Sequence, residues 1–269
     1  MPNDTLPQFE TIRLASQAAV AVITLNRPQR LNAAPPLMFD EIRAALQQLP
    51  AIGARALLIT GEGRAFCSGA DLAGRGETPA GGRGAITHNS LMRHYGPTML
   101  AIAQLPMPVV TAVNGVAAGI GCSLALAADF TLAARSAYFL EAFVNIGLVP
   151  DGGATWMLAR QIGKARATEM MMLGERLPAE KAEAWGLIHA AVDDDQLMAR
   201  SMALAERLAA GPTLALGLMR QGLVRALSQS YEEALATEAG HQALCANSDD
   251  AREGGKAFLE RRKPVFNGS

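Results

Sequence analysis

The chemistry open to this 269-residue chain rests on one aspartate and two glycine-rich turns. In the run Ile146-Gly147-Leu148-Val149-Pro150-Asp151-Gly152-Gly153-Ala154-Thr155 a carboxylate stands between a proline and two glycines, among aliphatic neighbours. Two readings are open for Asp151. It caps a helix starting near Ala154, a common role for aspartate. Alternatively it is a reagent, its proton affinity raised by apolar surroundings, that takes a proton from carbon.

The first turn is Arg64-Ala65-Phe66-Cys67-Ser68-Gly69-Ala70-Asp71-Leu72, where small residues follow an expected strand and let a ligand approach the main chain. Ordinary turn chemistry explains it equally well. The second is Val113-Asn114-Gly115-Val116-Ala117-Ala118-Gly119-Ile120-Gly121-Cys122-Ser123-Leu124, read as strand, glycine turn and helix start. Unpaired N–H groups in a first helical turn attract negative charge. The competing explanation is close helix packing enabled by glycine. A dinucleotide fingerprint fails because its third glycine would fall at Leu124.

The elements that must position these segments are partly readable. Val20 to Leu25 and Ala56 to Thr60 are aliphatic runs closed by turn-formers and predict buried strands. Between them Leu37, Ile42, Ala45, Leu46 and Leu49 recur at helical spacing after Pro35-Pro36, which makes a βαβ unit. The stretch Leu91 to Leu105 predicts a helix leading into a strand over Val109 to Val113, in right-handed α/β layering. Residues 73–84, rich in glycine, suit a mobile loop beside a site. After about Pro178 the pattern is helical, and Leu214, Leu218, Leu223 and Leu227 form apolar surface that needs the core or another subunit.

Composition narrows the function classes. With 24 basic and 25 acidic residues interspersed, there is no polybasic stripe for nucleic acid or anionic lipid. Cys67, Cys122 and Cys245 are far apart, with no CxxC pair, which fits a reduced, cytoplasmic setting and no metal site. Neither a signal peptide nor a spanning apolar segment is expected.

Taken together, the two turns and the aspartate segment, with Asn26-Arg27-Pro28 and Leu31-Asn32-Ala33 upstream and Ala182 to Ile188 downstream, resemble the crotonase (enoyl-CoA hydratase/isomerase) superfamily over nearly the whole chain. The resemblance implies an α/β fold, a spiral of ββα units with a helical C-terminal trimerisation region. It divides the chain into a core over 1–200 and a helical region over 201–269. It implies an acyl-CoA thioester substrate, no separate cofactor beyond that coenzyme A, and a homotrimer or a dimer of trimers. An oxyanion hole would come from the main-chain N–H groups of Ser68 and Ile120, with Asp151 as the catalytic carboxylate. Coenzyme A would lie along Arg27, Arg30, Leu31 and Ala33, with Ala70, Asp71 and Leu72 beside the pantetheine.

Departures from the family pattern matter as much. Hydratases of the family hold water between two glutamates, and this chain has Ser123 and Phe143 at those positions. Efficient hydration is therefore not expected, and isomerisation by Asp151 is. Ala142-Phe143 and the segment through Gly153 look like the subgroup that isomerises a ring-epoxide acyl-CoA. Hydration of a 2-enoyl-CoA and non-catalytic acyl-CoA binding stay open as alternatives. Glu141 is read as a surface or structural glutamate, although on an extended strand it would share the face of Phe143. His88, His94 and Tyr95 are candidates for acyl specificity only, and Cys67 and Cys122 read as small buried side chains rather than nucleophiles.

Overall fold

The computed structural model describes residues 6–72, 82–226 and 228–269. Two sheets run through it. The larger contains β1 (Ile12–Gln17), β2 (Val20–Leu25), β3 (Ala56–Gly61), β5 (Val109–Val113), β7 (Phe130–Ala134) and β10 (Ala190–Val192), in that spatial order. The smaller contains β4 (Ala65–Cys67), β6 (Val116–Ala118), β8 (Tyr138–Leu140) and β9 (Leu177–Pro178). Apart from β1 and β9, which pair antiparallel at one edge each, all pairings are parallel.

The helices of the first part are α1 (Pro36–Gln48), α2 (Arg83–Ser90), α3 (Gly96–Ala103), α4 (Ile120–Leu126), α5 (Ala154–Gln161), α6 (Gly163–Leu173), α7 (Ala179–Ala184) and α8 (Leu197–Ala209). They are followed by α9 (Thr213–Ala226), α10 (Tyr231–Ala246) and α11 (Asp249–Leu259). The chain visits the sheets alternately: β3 then β4, β5 then β6, β7 then β8, with helices after each pair. This is the expected spiral of ββα turns, each adding one parallel strand to both sheets.

The βαβ unit expected around α1 is present, with β2 and β3 parallel. Of its expected apolar face Ile42, Ala45, Leu46 and Leu49 are buried, joined by Met38 and Phe39, while Leu37 is exposed. Proline occupies the first helical position, where its missing N–H costs no intrahelical bond. The outward Glu41 then accepts N–H bonds from Glu10 at 2.7 Å and Thr11 at 2.8 Å, fastening the entry to β1. Where one helix was expected from Leu91 to Leu105, a π-helical turn over Leu91–Tyr95 joins α2 to α3. Of the glycine-rich loop, residues 73–81 lie outside the described residues, as does Leu227.

The expected boundary at residue 200 falls inside α8, which packs against β3, β5 and β7 and so belongs to the core. The separate helical region is α9 to α11. It is fastened by Arg220, only 5 % exposed, whose guanidinium meets Asp129 at 2.6 Å and the carbonyls of Ile102, Ala103 and Leu105 at 2.7, 2.9 and 3.2 Å. Burial pushes the Asp129 carboxyl up, and the charge of Arg220 opposes that shift. Met219, Leu223, Leu235, Leu244, Phe258 and Leu259 remain exposed on these helices. Among the described residues no helix is long and apolar enough to cross a membrane.

Removing one partner of a buried ion pair strands the other charge, at a cost of roughly 3 to 5 kcal/mol. Arg220→Met is therefore expected to lower the free energy of unfolding by an amount of that order, read as a lower urea midpoint, and to increase proteolysis between α8 and α9. An unchanged midpoint contradicts the role of this pair as the fastener.

Candidate active site

The strands of the smaller sheet deliver three chain segments to one place. β4 ends at Cys67 and is followed by Ser68-Gly69, β6 ends at Ala118 and is followed by Gly119-Ile120, and β8 ends at Leu140, ahead of Glu141 to Asp151. Because β4, β6 and β8 are parallel neighbours, their C-terminal ends share one edge, where open α/β sheets characteristically bind ligands. A cavity of about 630 Å³ lies there, with Ser68, Gly69, Gly119, Ile120, Phe143 and Asp151 in its wall.

The two turns nearly touch. Gly119 has φ 53°, and a Cβ on it would sit 3.9 Å from Gly69 Cα and 3.6 Å from Phe143 Cζ, so the ring covers the turn. The Gly119 N–H donates to the Leu140 carbonyl at 2.8 Å. Ile120, the first residue of α4, has no intrahelical acceptor for its N–H and no other acceptor among the described residues. Ser68 differs: its N–H donates to the Leu31 carbonyl at 3.0 Å. An incoming oxygen has the Ile120 donor to itself and shares or displaces the bond at Ser68.

Asp151 also lines the cavity. Gly153 holds the N-cap position of α5 without a capping side chain, and Asp151 meets the helix through its backbone carbonyl, which accepts the Ala154 N–H at 3.2 Å. That same carbonyl accepts the Ser123 hydroxyl at 2.9 Å. Gly152 completes the approach: at φ 63° it packs so tightly that a Cβ would fall 2.4 Å from Ile120 Cδ1. Ser123, expected only as a missing glutamate, therefore positions the aspartate segment against α4. A serine on the buried face of a glycine-rich helix was the available signal.

The expected coenzyme positions divide. Ala70, Asp71 and Leu72 line the cavity, whereas Arg27, Arg30, Leu31 and Ala33 are not in its wall. Arg27 pairs with Asp71 at 2.8 Å and also donates to the Ala33 carbonyl, and Arg30 is exposed. Buried Asn32 accepts the Arg27 N–H at 2.8 Å and donates to the Glu62 and Ala65 carbonyls at 3.0 and 2.8 Å, so this segment braces the first turn.

On the far side, Arg83, Ile86, Thr87, Ser90, Leu91 and Tyr95 face the cavity at helical spacing. His88 and His94 fall off that face, and His94 meets Asp40 at 2.6 Å. Of the three expected specificity residues, Tyr95 alone reaches the wall, its hydroxyl donating to the Ala34 carbonyl at 3.1 Å. Cys67 and Cys122 are small buried side chains, as expected: burial pushes the Cys67 thiol up to about 12, and burial together with the charge of Glu141 pushes Cys122 well up.

Of the two readings of Glu141, surface or structural, its burial excludes the first. It is fully buried, and neither carboxylate oxygen has a conventional hydrogen bond among the described residues, with only the weakly donating Cys122 thiol set against it. The strand ends at Leu140, so the alternation expected to put Glu141 on the face of Phe143 does not reach them, and Phe143 lines the cavity while Glu141 does not. Burial pushes its carboxyl up to about 7; the Cys122 thiol opposes the shift and the nearby Asp151 charge adds to it.

In the unfolded chain Glu141 ionises near 4.5 and in the folded protein near 7, so between these the folded state holds the extra proton. Its contribution to stability is complete below 4.5 and is lost as pH rises through 7. Glu141→Gln has no such proton to lose. Its stability relative to the parent protein is expected to improve by roughly 2 to 3 kcal/mol from pH 5 to pH 8, measured by urea unfolding. A pH-independent difference contradicts a buried, ionisable Glu141.

With this geometry in hand, comparison with known proteins is direct. Residues 15–269 match the family model described as enoyl-CoA hydratase/isomerase. The chain is 44% identical over 253 residues to 1,2-epoxyphenylacetyl-CoA isomerase of Escherichia coli (strain K12), covering 94% of this chain and 96% of that protein. It is 45% identical over 260 residues to a "probable enoyl-CoA hydratase" of Rhodobacter capsulatus, covering 97% and 99%. Among solved structures, an enoyl-CoA hydratase from Polaromonas sp. JS666 superposes with a TM-score of 0.88 at 33% identity, covering 95% of this chain and 99% of that one. A match of fold, length and sequence on this scale makes the chain a member of the crotonase family of enoyl-CoA hydratases and isomerases.

Proposed function

We propose that the chain is an acyl-CoA isomerase in which Asp151 moves a proton between carbons of the acyl group while main-chain N–H groups hold the thioester oxygen. The observation that carries this reading is the cavity wall itself. Asp151 stands there with the Ile120 and Ser68 turns, while the positions at which the family's hydratases hold water carry Ser123, tied to the Asp151 carbonyl at 2.9 Å, and the ring of Phe143. Among the described residues the other carboxylate in the wall, Asp71, is committed to Arg27.

The steps follow from charge. Asp151 as the anion takes a proton from the acyl chain, and the electron pair left behind delocalises onto the thioester oxygen. Ile120 N–H meets that oxygen, and Ser68 N–H joins it at the expense of its bond to Leu31. A preorganised donor of this kind contributes about 3 kcal/mol, roughly two powers of ten in rate. Returning the proton at a different carbon completes an isomerisation, with no net proton and no water consumed, so one carboxylate suffices. Pantetheine would pass Ala70, Asp71 and Leu72, and the acyl group would face Ile86, Leu91, Tyr95 and Phe143.

The relative named as 1,2-epoxyphenylacetyl-CoA isomerase supports a ring-derived acyl group. Hydration is the second reading, favoured by the Rhodobacter relative, and it would place a water beside the Phe143 ring. The same proposal has the chain act in the cytoplasm as a trimer or a dimer of trimers, which would cover the exposed side chains of α9 to α11.

Incubation with a trans-2-enoyl-CoA in heavy water, followed by mass spectrometry, tests the reading. Deuterium incorporation or a 3-enoyl product is expected, falling by about 10² to 10⁴ in Asp151→Asn. Rapid formation of 3-hydroxyacyl-CoA, or full exchange in the variant, contradicts it.

A further inference from the structure

Glu141 takes no part in the steps above, and packing does not account for it. A fully buried carboxyl without conventional hydrogen bonds costs stability that an aliphatic side chain of similar size does not. Its place in the fold is specific. The preceding carbonyl, of Leu140, accepts the Gly119 N–H at 2.8 Å, setting the end of β8 against the turn that presents Ile120. Cys122, on the first turn of α4, faces Glu141, and the next residue, Ser123, holds the Asp151 carbonyl at 2.9 Å. Adjacent side chains of one helix therefore touch both acidic segments. Asp151 and Ala142 are in the cavity wall, and Glu141, fully buried, is not.

We propose that Glu141 is a positioning residue, a second carboxyl standing behind Asp151 and out of reach of the substrate, whose charge governs how strongly Asp151 takes up a proton. The inference rests on the catalytic reading of Asp151. The titratable groups facing Glu141 are Asp151, from the segment before α5, and Cys122, from α4. Cys122 stays protonated because burial and the Glu141 charge both oppose its ionisation. The charged residues of α7, which packs on β8, are Glu180, Lys181 and Glu183, and all are exposed. From β9's approach, Arg176 lies over the Tyr138 ring, 4.6 Å from its centre.

Among the described residues that face Glu141, the two carboxyls are thus left to exchange charge near neutral pH, and interacting like charges titrate as a pair. While Glu141 keeps its proton, the pair holds one negative charge, on Asp151. When Glu141 ionises, its charge repels that of Asp151, and transfer of a proton from carbon to Asp151 moves negative charge away to the thioester oxygen. The base is stronger with Glu141 ionised than with it neutral.

Carboxyl ¹³C NMR titrations of protein labelled at Asp and Glu, with kcat measured from pH 6 to 8.5, test the inference on the parent protein, Glu141→Gln and Asp151→Asn. The resonance lost in Glu141→Gln should titrate near 7 in the parent and at least about half a unit lower in Asp151→Asn, where the neighbouring charge is gone. The kcat of the parent should rise roughly threefold to tenfold through this window. Glu141→Gln should lack that rise, with KM within about twofold of the parent. An unshifted Glu141 titration in an inactive Asp151→Asn, or a Glu141→Gln profile that superimposes on the parent, overturns the inference and leaves the reading of Asp151 standing. An Asp151→Asn variant as active as the parent overturns both.

Discussion

Parallel pairing of β4, β6 and β8 is the constraint on which the site depends. Each of these strands is three residues long, too short to hold a position alone, and each is fixed by its neighbours and by the longer strand that precedes it in the chain. A parallel ladder places the C-terminal ends side by side, so three segments far apart in sequence leave the sheet at one edge. Close packing then sets them to within van der Waals contact: Gly119 against Gly69 and the Phe143 ring, Gly152 against Ile120 and Ser123. Any side chain at Gly152 would drive the aspartate segment away from the Ile120 turn.

The electrostatics follow from that packing. The wall combines main-chain donors, which need no counter-charge, with a carboxylate, and an aromatic ring narrows the room for water. Burial in such a place favours the neutral form of an acid, which is why Glu141 holds its proton to about 7. Arg27 is spent on Asp71 and a carbonyl, and Arg83 stands in the cavity wall with the two turns and Asp151.

Much of the larger sheet was legible because its strands are buried on both faces and read as continuous aliphatic runs: Val20 to Leu25, Ala56 to Thr60 and Val109 to Val113. β4, β6 and β8 were not legible, since three residues carry no period, and β1 mixes Ala, Ser and Arg with a single buried alternation. The glycine spacing and Asp151 marked the site, and the resemblance assigned them roles, but the occupied N–H of Ser68 depends on Leu31, which is distant in sequence. The burial of Glu141 was not legible for a different reason. A glutamate beside an apolar run reads as exposed, and nothing in residue order shows that it is buried by taking up a proton.

A crystal structure with a non-reactive acyl-CoA ketone analogue, in which a methylene replaces the thioester sulfur and the carbonyl is kept, bears most directly on the convergence of these segments around a thioester. The carbonyl oxygen is expected about 2.7 to 3.1 Å from the Ile120 nitrogen, with Ser68 turned from Leu31 toward it and the Asp151 carboxylate facing the acyl carbons. An analogue whose carbonyl lies away from Ile120, or whose acyl carbons face away from Asp151, would contradict the account.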